Sequence, residues 1–371
     1  MRDVTAGLRR LLDEGTPFAL ATTVAVAGSS PRPPGATMAV SAGGEALGSL
    51  SGGCVEGAVY AAAEQVLAGA GPALATYGIS DEHAFSVGLT CGGILTVLVQ
   101  PVDAARAALL RGLLDDLDAD VPVALATVVG GPAPLGAQLV VRPAGVGGSL
   151  GTEGLDAAVT DDVRGLLALG QDGTRHYGPG GERRIDEVAV FVRSFTPPPR
   201  MLVYGAIDFA AAVARLGAFL GYRVTVCDAR PVFATPRRLP EAHEVVCRWP
   251  HDHLLDTAVD GRTVICVLTH DPKFDVPLLA VALRSPAAYV GAMGSRRTHS
   301  ERLDRLRELG LSEPELARLR SPIGLDLGAR TPEETAVSIA AEIVQTRWGG
   351  SGMPLASTGG AIHRDTAGAG A

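Results

Sequence analysis

The chain predicts an α/β protein of two domains, the second built on a parallel sheet. Three observations carry that prediction. The length of 371 residues exceeds what one core usually organises. A proline run, Thr196-Pro197-Pro198-Pro199, can neither enter a helix interior nor donate ladder hydrogen bonds. Beyond it, short apolar strands alternate with Ala-rich helical stretches, the pattern of a parallel sheet covered by helices.

Composition narrows the classes. Hydrophobic residues make up 47% and charged residues 19%, enough apolar material for globular cores and too little charge for disorder. A net charge of -8 argues against nucleic acid and against anionic membrane as partners, because both require a basic face. The first twelve residues carry Asp3 and three arginines without an apolar run, and nothing approaches the roughly 18 apolar residues of a membrane span, so a cytoplasmic protein is expected. Five cysteines in so long a chain read as reduced thiols, not as a disulfide framework.

Residues 1–195 read as one α/β domain made of two related halves. Phe18-Ala-Leu-Ala-Thr22 recurs as Val123-Ala-Leu-Ala-Thr127, Gly35-Ala-Thr-Met-Ala-Val40 as Gly136-Ala-Gln-Leu-Val-Val141, and Gly48-Ser-Leu50 as Gly148-Ser-Leu150. Each copy reads strand, strand, Gly-rich turn, helix, strand. Helices are expected over 55–67 and 155–169, and closing strands over 93–100 and 187–193. Aligned on the shared Gly-Ser-Leu, Ser51-Gly-Gly-Cys-Val-Glu56 becomes Gly151-Thr-Glu-Gly-Leu-Asp156. The scaffold persists while the cysteine is lost, which points to the first half as the seat of chemistry.

Three Gly-rich stretches gather in that half: Ala27-Gly-Ser-Ser-Pro-Arg-Pro-Pro-Gly35, Gly48 to Glu56, and Thr90-Cys-Gly-Gly93. Such loops let backbone amides approach an anion. Cys54 sits where loop becomes helix, a position that favours negative charge, either a ligand phosphate or its own thiolate. It is a candidate soft metal ligand or persulfide carrier, with Cys91 as its companion; the opposite reading makes each a small buried hydrophobe. Arg32 either forks onto a phosphate or lies exposed on its loop. Ser29, Ser30, Ser51, Gly52, Gly53, Glu56 and Gly92 complete the candidate binding set. Cys54 and Cys91 alone are too few for structural zinc.

From Met201 the order strand, glycine turn, helix, strand, acidic residue is that of a Rossmann dinucleotide fold, with Asp228 following Gly205 by 23 positions. The glycine fingerprint is incomplete: Ile207 stands where close backbone approach to a pyrophosphate requires glycine. The apolar strand Thr263 to Thr269 delivers His270 and Asp271 at its carboxyl end, where such sheets bind ligands. Gly294, Ser295, Arg296 and Arg297 form another glycine turn with two guanidiniums suited to phosphate. Asp326 lies between glycines and either faces a ligand or satisfies turn amides. Thr331-Pro-Glu-Glu334 is a capped helix start, and the domain is expected to span 200–349, leaving 350–371 as a tail.

Together, Gly28-Ser-Ser-Pro-Arg32, Gly48-Ser-Leu-Ser-Gly-Gly-Cys-Val-Glu56, Cys91-Gly-Gly93, Leu268-Thr-His-Asp271, Gly291-Ala-Met-Gly-Ser-Arg-Arg297 and Pro322 through Glu334 resemble the XdhC/CoxI family. The resemblance implies a chaperone without turnover of its own. It would bind the molybdenum cofactor, as molybdopterin or its cytosine dinucleotide form, protect it while a cysteine desulfurase supports its sulfuration, and deliver it to an apo-molybdenum hydroxylase of the xanthine or CO dehydrogenase type. A homodimer fits the same family. Within that frame Cys54 is expected to contact molybdenum or sulfur, Arg32 and the Gly52–Gly53 amides to contact phosphate, and Asp228 with Arg296 to hold a nucleotide, the cofactor lying in a cleft between domains. The family's first Rossmann turn reads Gly-Ala-Gly-His, against Gly205-Ala-Ile-Asp208 here. The competing readings are an NAD(P)-dependent oxidoreductase and a scaffold that only docks the dehydrogenase.

Overall fold

A computed structural model of the chain describes residues 1, 4–28, 30, 32–78 and 93–359. The chain divides into two compact units, Met1–Pro197 and Pro198–Ala371.

The first unit repeats one motif twice. Its first half runs α1 (Thr5–Asp13), β1 (Phe18–Ala27), β2 (Thr37–Ser41), β3 (Ala46–Gly48), α2 (Glu56–Gln65) with a π turn at Val66–Ala70, β4 (Ala73–Tyr77) and β5 (Ile94–Pro101). The second runs α3 (Ala104–Asp118), β6 (Val123–Gly130), β7 (Gln138–Arg142), β8 (Gly145–Ser149), α4 (Glu153–Leu169), β9 (Gly173–Tyr177) and β10 (Val188–Phe195). The two antiparallel sheets have the same order, β3-β2-β1-β5-β4 and β8-β7-β6-β10-β9. Even the irregularities correspond, with a register shift between Thr23 and Ala25 in one sheet and between Ala189 and Val190 in the other.

Alternation along the strands explains why the sequence reads as continuously apolar. In β1, Phe18 and Leu20 face one core while Ala19 and Ala21 face another, beneath α2; β6 repeats this with Val123 and Leu125 against Ala124 and Ala126 beneath α4. In these two central strands small residues thus lie under the helix and large ones where the halves meet, so both faces of β1 and β6 are largely buried. Gly48 and Gly148 hold the same strained corner, with φ of +82° and +89°. A Cβ at either would lie 2.4 Å from the Thr37 carbonyl oxygen or 2.3 Å from that of Gln138, the equivalent residue.

The second unit is a six-stranded parallel sheet with helices on both faces. Its elements are β11 (Arg200–Tyr204), α5 (Asp208–Phe219), β12 (Arg223–Cys227), β13 (Glu244–Val246), α6 (Pro250–Leu255), β14 (Val264–Val267), α7 (Pro272–Ala282), β15 (Tyr289–Ala292), α8 (Arg296–Glu308), α9 (Glu313–Leu316), β16 (Leu319–Arg320) and α10 (Pro332–Trp348). The order β13-β12-β11-β14-β15-β16 reverses direction between β11 and β14, and the loops leaving those two strands flank the switch point where ligands of doubly wound sheets bind. Among the described residues no helix is long and apolar enough to cross a membrane.

Candidate functional site

In the first unit the loop between β3 and α2 is organised by one carboxylate. Glu56 opens α2, and the first helical turn aims its side chain back into the loop that precedes it. Its Oε1 accepts from the hydroxyl of Ser49 at 2.7 Å and from the amides of Leu50, Ser51 and Gly52 at 3.0, 2.9 and 3.0 Å. Its Oε2 accepts from the hydroxyl of Ser51 at 2.7 Å and the amides of Gly53 and Val55 at 2.9 and 3.2 Å. Burial on its own would raise the Glu56 carboxyl. The Ser51 amide and the Ser49 and Ser51 hydroxyls outweigh it and hold the group well below the usual carboxylate range.

The amides expected to contact a ligand phosphate are therefore already donating to the chain's own carboxylate. The Gly52 and Gly53 amides, Ser51 and Glu56 form an anion nest with an internal occupant. This differs from the sequence reading because an anion nest takes whichever carboxylate the backbone delivers to it, and the first turn of α2 delivers Glu56. Cys54 sits on the rim, half-buried against the α2 core, with its amide on the Ser51 hydroxyl at 3.0 Å. Arg32 joins the adjacent loop to this one by donating from Nη1 to the Ser49 carbonyl at 2.6 Å, and Ser30 closes the Arg32 turn by donating to its carbonyl at 2.9 Å. Arg32, Ser30, Ser51, Gly52, Gly53, Cys54 and Glu56 thus form one cluster. Ser29, Cys91 and Gly92 lie outside the described residues.

Whether these residues suit a molybdenum cofactor follows from the donors present. A thiol on a rigid loop is a donor that soft metals and sulfur accept, and an arginine beside it is a phosphate partner. The loop amides do not fit that task, being occupied by Glu56. Among the described residues no three His, Cys, Asp or Glu side chains group as a metal-binding cluster. Cys54, Cys227, Cys247 and Cys266 make no disulfide with one another. Burial pushes the thiols of Cys227 and Cys266 up to about 12, leaving both as inert core residues.

In the second unit, Gly205 turns the chain from β11 towards α5 with φ +105°, packed against Thr269 at the end of β14. Asp228, at the end of β12, is buried, and its Oδ2 accepts from the Ala206 amide at 2.8 Å, pinning that turn. Its partner is not Arg296. Arg230 folds back two residues and forks onto the carboxylate through Nε and Nη2 at 2.9 and 2.8 Å, while Arg296 starts α8, at the end of a different strand. Burial alone would raise Asp228, but the Arg230 fork and the Ala206 amide hold it below its ordinary value.

The remaining predicted residues are distributed around this edge of the sheet. His270 is exposed; Asp271 caps α7, accepting from the Lys273 amide at 3.1 Å and pairing with its Nζ at 3.0 Å. Ser295 caps α8, accepting from the Thr298 amide at 3.1 Å, with Gly294 ahead of it and Arg296 exposed. Asp326 is exposed on a loop anchored by Glu342, which accepts from the Tyr289 hydroxyl at 2.6 Å and the Gly324 amide at 2.7 Å.

Sequence reasoning missed the hub beneath these loops. Asp275 on α7 and Arg302 on α8 form a buried ion pair at 2.9 Å, tied to the Thr269 hydroxyl, to the Met293 carbonyl at 3.0 Å and to the Ser321 hydroxyl at 3.1 Å. One pair thus fixes the loops leaving β14, β15 and β16. No local signal marks it, since its members are far apart in sequence. Arg230, two residues from Asp228, was available to a reading that asked what neutralises a buried acid.

These features define a class: a duplicated antiparallel domain carrying a cysteine loop, joined in sequence to a Rossmann-type domain. The model for the XdhC Rossmann domain matches residues 201–343, and that for the XdhC and CoxI family matches residues 11–78 and 117–178, together most of the chain. The chain belongs to the XdhC/CoxI family. It is 27% identical over 346 residues to a probable xanthine dehydrogenase subunit of Bacillus subtilis (strain 168), covering 92% of this chain and 96% of that one. It is 27% identical over 336 residues to the molybdenum cofactor insertion chaperone PaoD of Escherichia coli (strain K12), covering 91% and 85%. A crystal structure of a xanthine dehydrogenase from Bacillus halodurans aligns with a TM-score of 0.63 at 25% identity, over 95% of this chain and 97% of that one.

Proposed function

We propose that this protein is a chaperone that binds the molybdenum cofactor, protects it, supports its sulfuration by a cysteine desulfurase and hands it to an apoenzyme of the xanthine or CO dehydrogenase type. The observation that carries the reading is the Cys54 loop: a thiol on a rim held rigid by seven donors converging on Glu56, in one of two otherwise equivalent halves. Family membership and the named role of PaoD support the same conclusion.

In this reading Cys54 is the soft contact for molybdenum or its terminal sulfur, and Arg32 meets the cofactor's phosphate while still bracing Ser49. Glu56 positions both by fixing the loop and does not itself touch the ligand. The second domain holds a nucleotide at the switch point beside Gly205. The bound cofactor supplies the metal chemistry, which takes place only after transfer, in the acceptor enzyme. The protein acts in the cytoplasm, and a homodimer is part of the proposal.

The test is exposure of the purified protein to cofactor, followed by removal of unbound material, oxidation to fluorescent pterin products and measurement of bound molybdenum. The native chain is expected to carry both. Cys54→Ala is expected to lose most of the sulfurated cofactor while keeping its fold; unchanged cofactor affinity together with unchanged sulfuration would sink the role of Cys54.

A further inference from the structure

Asp228 occupies the position from which a dinucleotide fold ordinarily offers a carboxylate to ribose hydroxyls. Here each of its oxygens already takes two donors. Oδ1 accepts from the amide and Nε of Arg230, both at 2.9 Å, and Oδ2 accepts from the Ala206 amide and the Nη2 of Arg230, both at 2.8 Å. The group is 2% exposed, so a ribose diol has no direct approach to it.

Arg230 is the opposite. Its side chain is 42% exposed, its Nη1 makes no hydrogen bond among the described residues, and its guanidinium lies 4.4 Å from the centroid of the Phe233 ring. Arg238 approaches the same ring at 5.4 Å, and its ion pair with the exposed Asp208 is long, at 3.7 Å. Two guanidiniums flanking one aromatic ring, beside a carboxylate already neutralised, make a phosphate-recognising corner.

We infer that the second domain selects a nucleotide whose ribose carries a 2′-phosphate, as NADP(H) does, over one with a free 2′,3′-diol, with Arg230 and Arg238 as the specificity-determining residues. This rests on the reading that the domain binds a nucleotide.

Calorimetric titration of the full chain with adenosine 2′,5′-bisphosphate, adenosine 3′,5′-bisphosphate and adenosine 5′-monophosphate tests it. The 2′,5′-bisphosphate is expected to bind at least about tenfold tighter than either other ligand, the scale of one charge-assisted contact. Arg230→Ala removes the phosphate partner and also frees two acceptor positions on Asp228. It should therefore weaken the 2′,5′-bisphosphate and strengthen the monophosphate, an inversion that a folding defect would not produce. Arg238→Ala, at an exposed position, should weaken the 2′,5′-bisphosphate alone. Equal affinity for the two bisphosphates, or for all three ligands, overturns the 2′-phosphate preference and leaves nucleotide binding standing. Binding of none of the three overturns both.

Discussion

The segments Gly48 to Glu56 and Gly148 to Asp156 leave equivalent strands, turn at equivalent glycines and enter equivalent helices. In the first, Glu56 gathers seven donors; in the second, Asp156 accepts from the Leu150 amide at 2.7 Å, and Gly151 turns instead to the Ser149 hydroxyl at 3.1 Å. The shorter Asp side chain stops short of the loop tip. Where the first loop has Arg32 beside it, the repeat places Ala133, and where it has Cys54 the second has Gly154. A Cβ at Gly154 would lie 2.3 Å from the Gly180 carbonyl oxygen, so the second half has closed backbone over the place a cysteine would need. The two copies share a scaffold and differ in every feature that concerns a ligand. The duplication is an internal control: what both halves keep serves folding, and what one half keeps is the candidate for function.

That contrast can be broken or sharpened by substitution. The largest effects are expected where the halves agree: Gly48→Ala and Gly148→Ala should each cost about 3 kcal/mol, combining a left-handed backbone with a carbonyl clash. Equilibrium urea unfolding followed on the first domain checks this, and strongly unequal costs would show that the corners are not equivalent.

Next comes the difference between the carboxylates. Glu56→Ala should cost about 2–3 kcal/mol and expose the amides of residues 50–55 to rapid hydrogen exchange, whereas Asp156→Ala should cost about 1 kcal/mol and affect chiefly Leu150. Similar exchange behaviour in the two variants would remove the asymmetry.

Smaller again is the effect at the cysteine position. Gly154→Ala should destabilise by about 1–3 kcal/mol through the Gly180 contact, while Cys54→Ala should cost under about 1 kcal/mol, as comparison of their thermal unfolding would reveal.

The smallest effect concerns acidity. Because Glu56 is held below its unfolded value, its contribution is complete above the unfolded carboxyl pKa near 4.3, and it declines as the pH falls below that value towards the folded one. Acid titration of native and Glu56→Gln chains should show the native protein losing stability faster below about pH 4. Parallel curves would mean the nest is not charge-dependent.

Several elements were legible in advance because their signals are local. The helix expected over 55–67 forms as Glu56–Gln65 with a π turn beyond it, and that expected over 155–169 as Glu153–Leu169. The capping box at Thr331 and Glu334 starts α10 as its spacing requires. The candidate site was legible only as a set of residues. Gly52, Gly53, Cys54 and Glu56 could be picked out, but Glu56 turned out to fill the nest and not to line it. Asp228 could be picked out with Arg230 two residues away, but not that the arginine folds back and forks onto both its oxygens. Asp275 and Arg302 carried no local mark, because an ion pair between helices α7 and α8 exists only once both pack on the sheet.

By itself the sequence determined the periodicities, the glycine corners, the duplication and the family, all of which depend on a residue and its near neighbours. Tertiary structure decided which polar groups were spent on the fold and which were left for a ligand. That allocation depends on direction and distance: one carboxylate at the start of a helix either meets a passing phosphate or is turned into its own loop. Nothing in the order of residues distinguishes the two until the backbone sets the angle of the first turn.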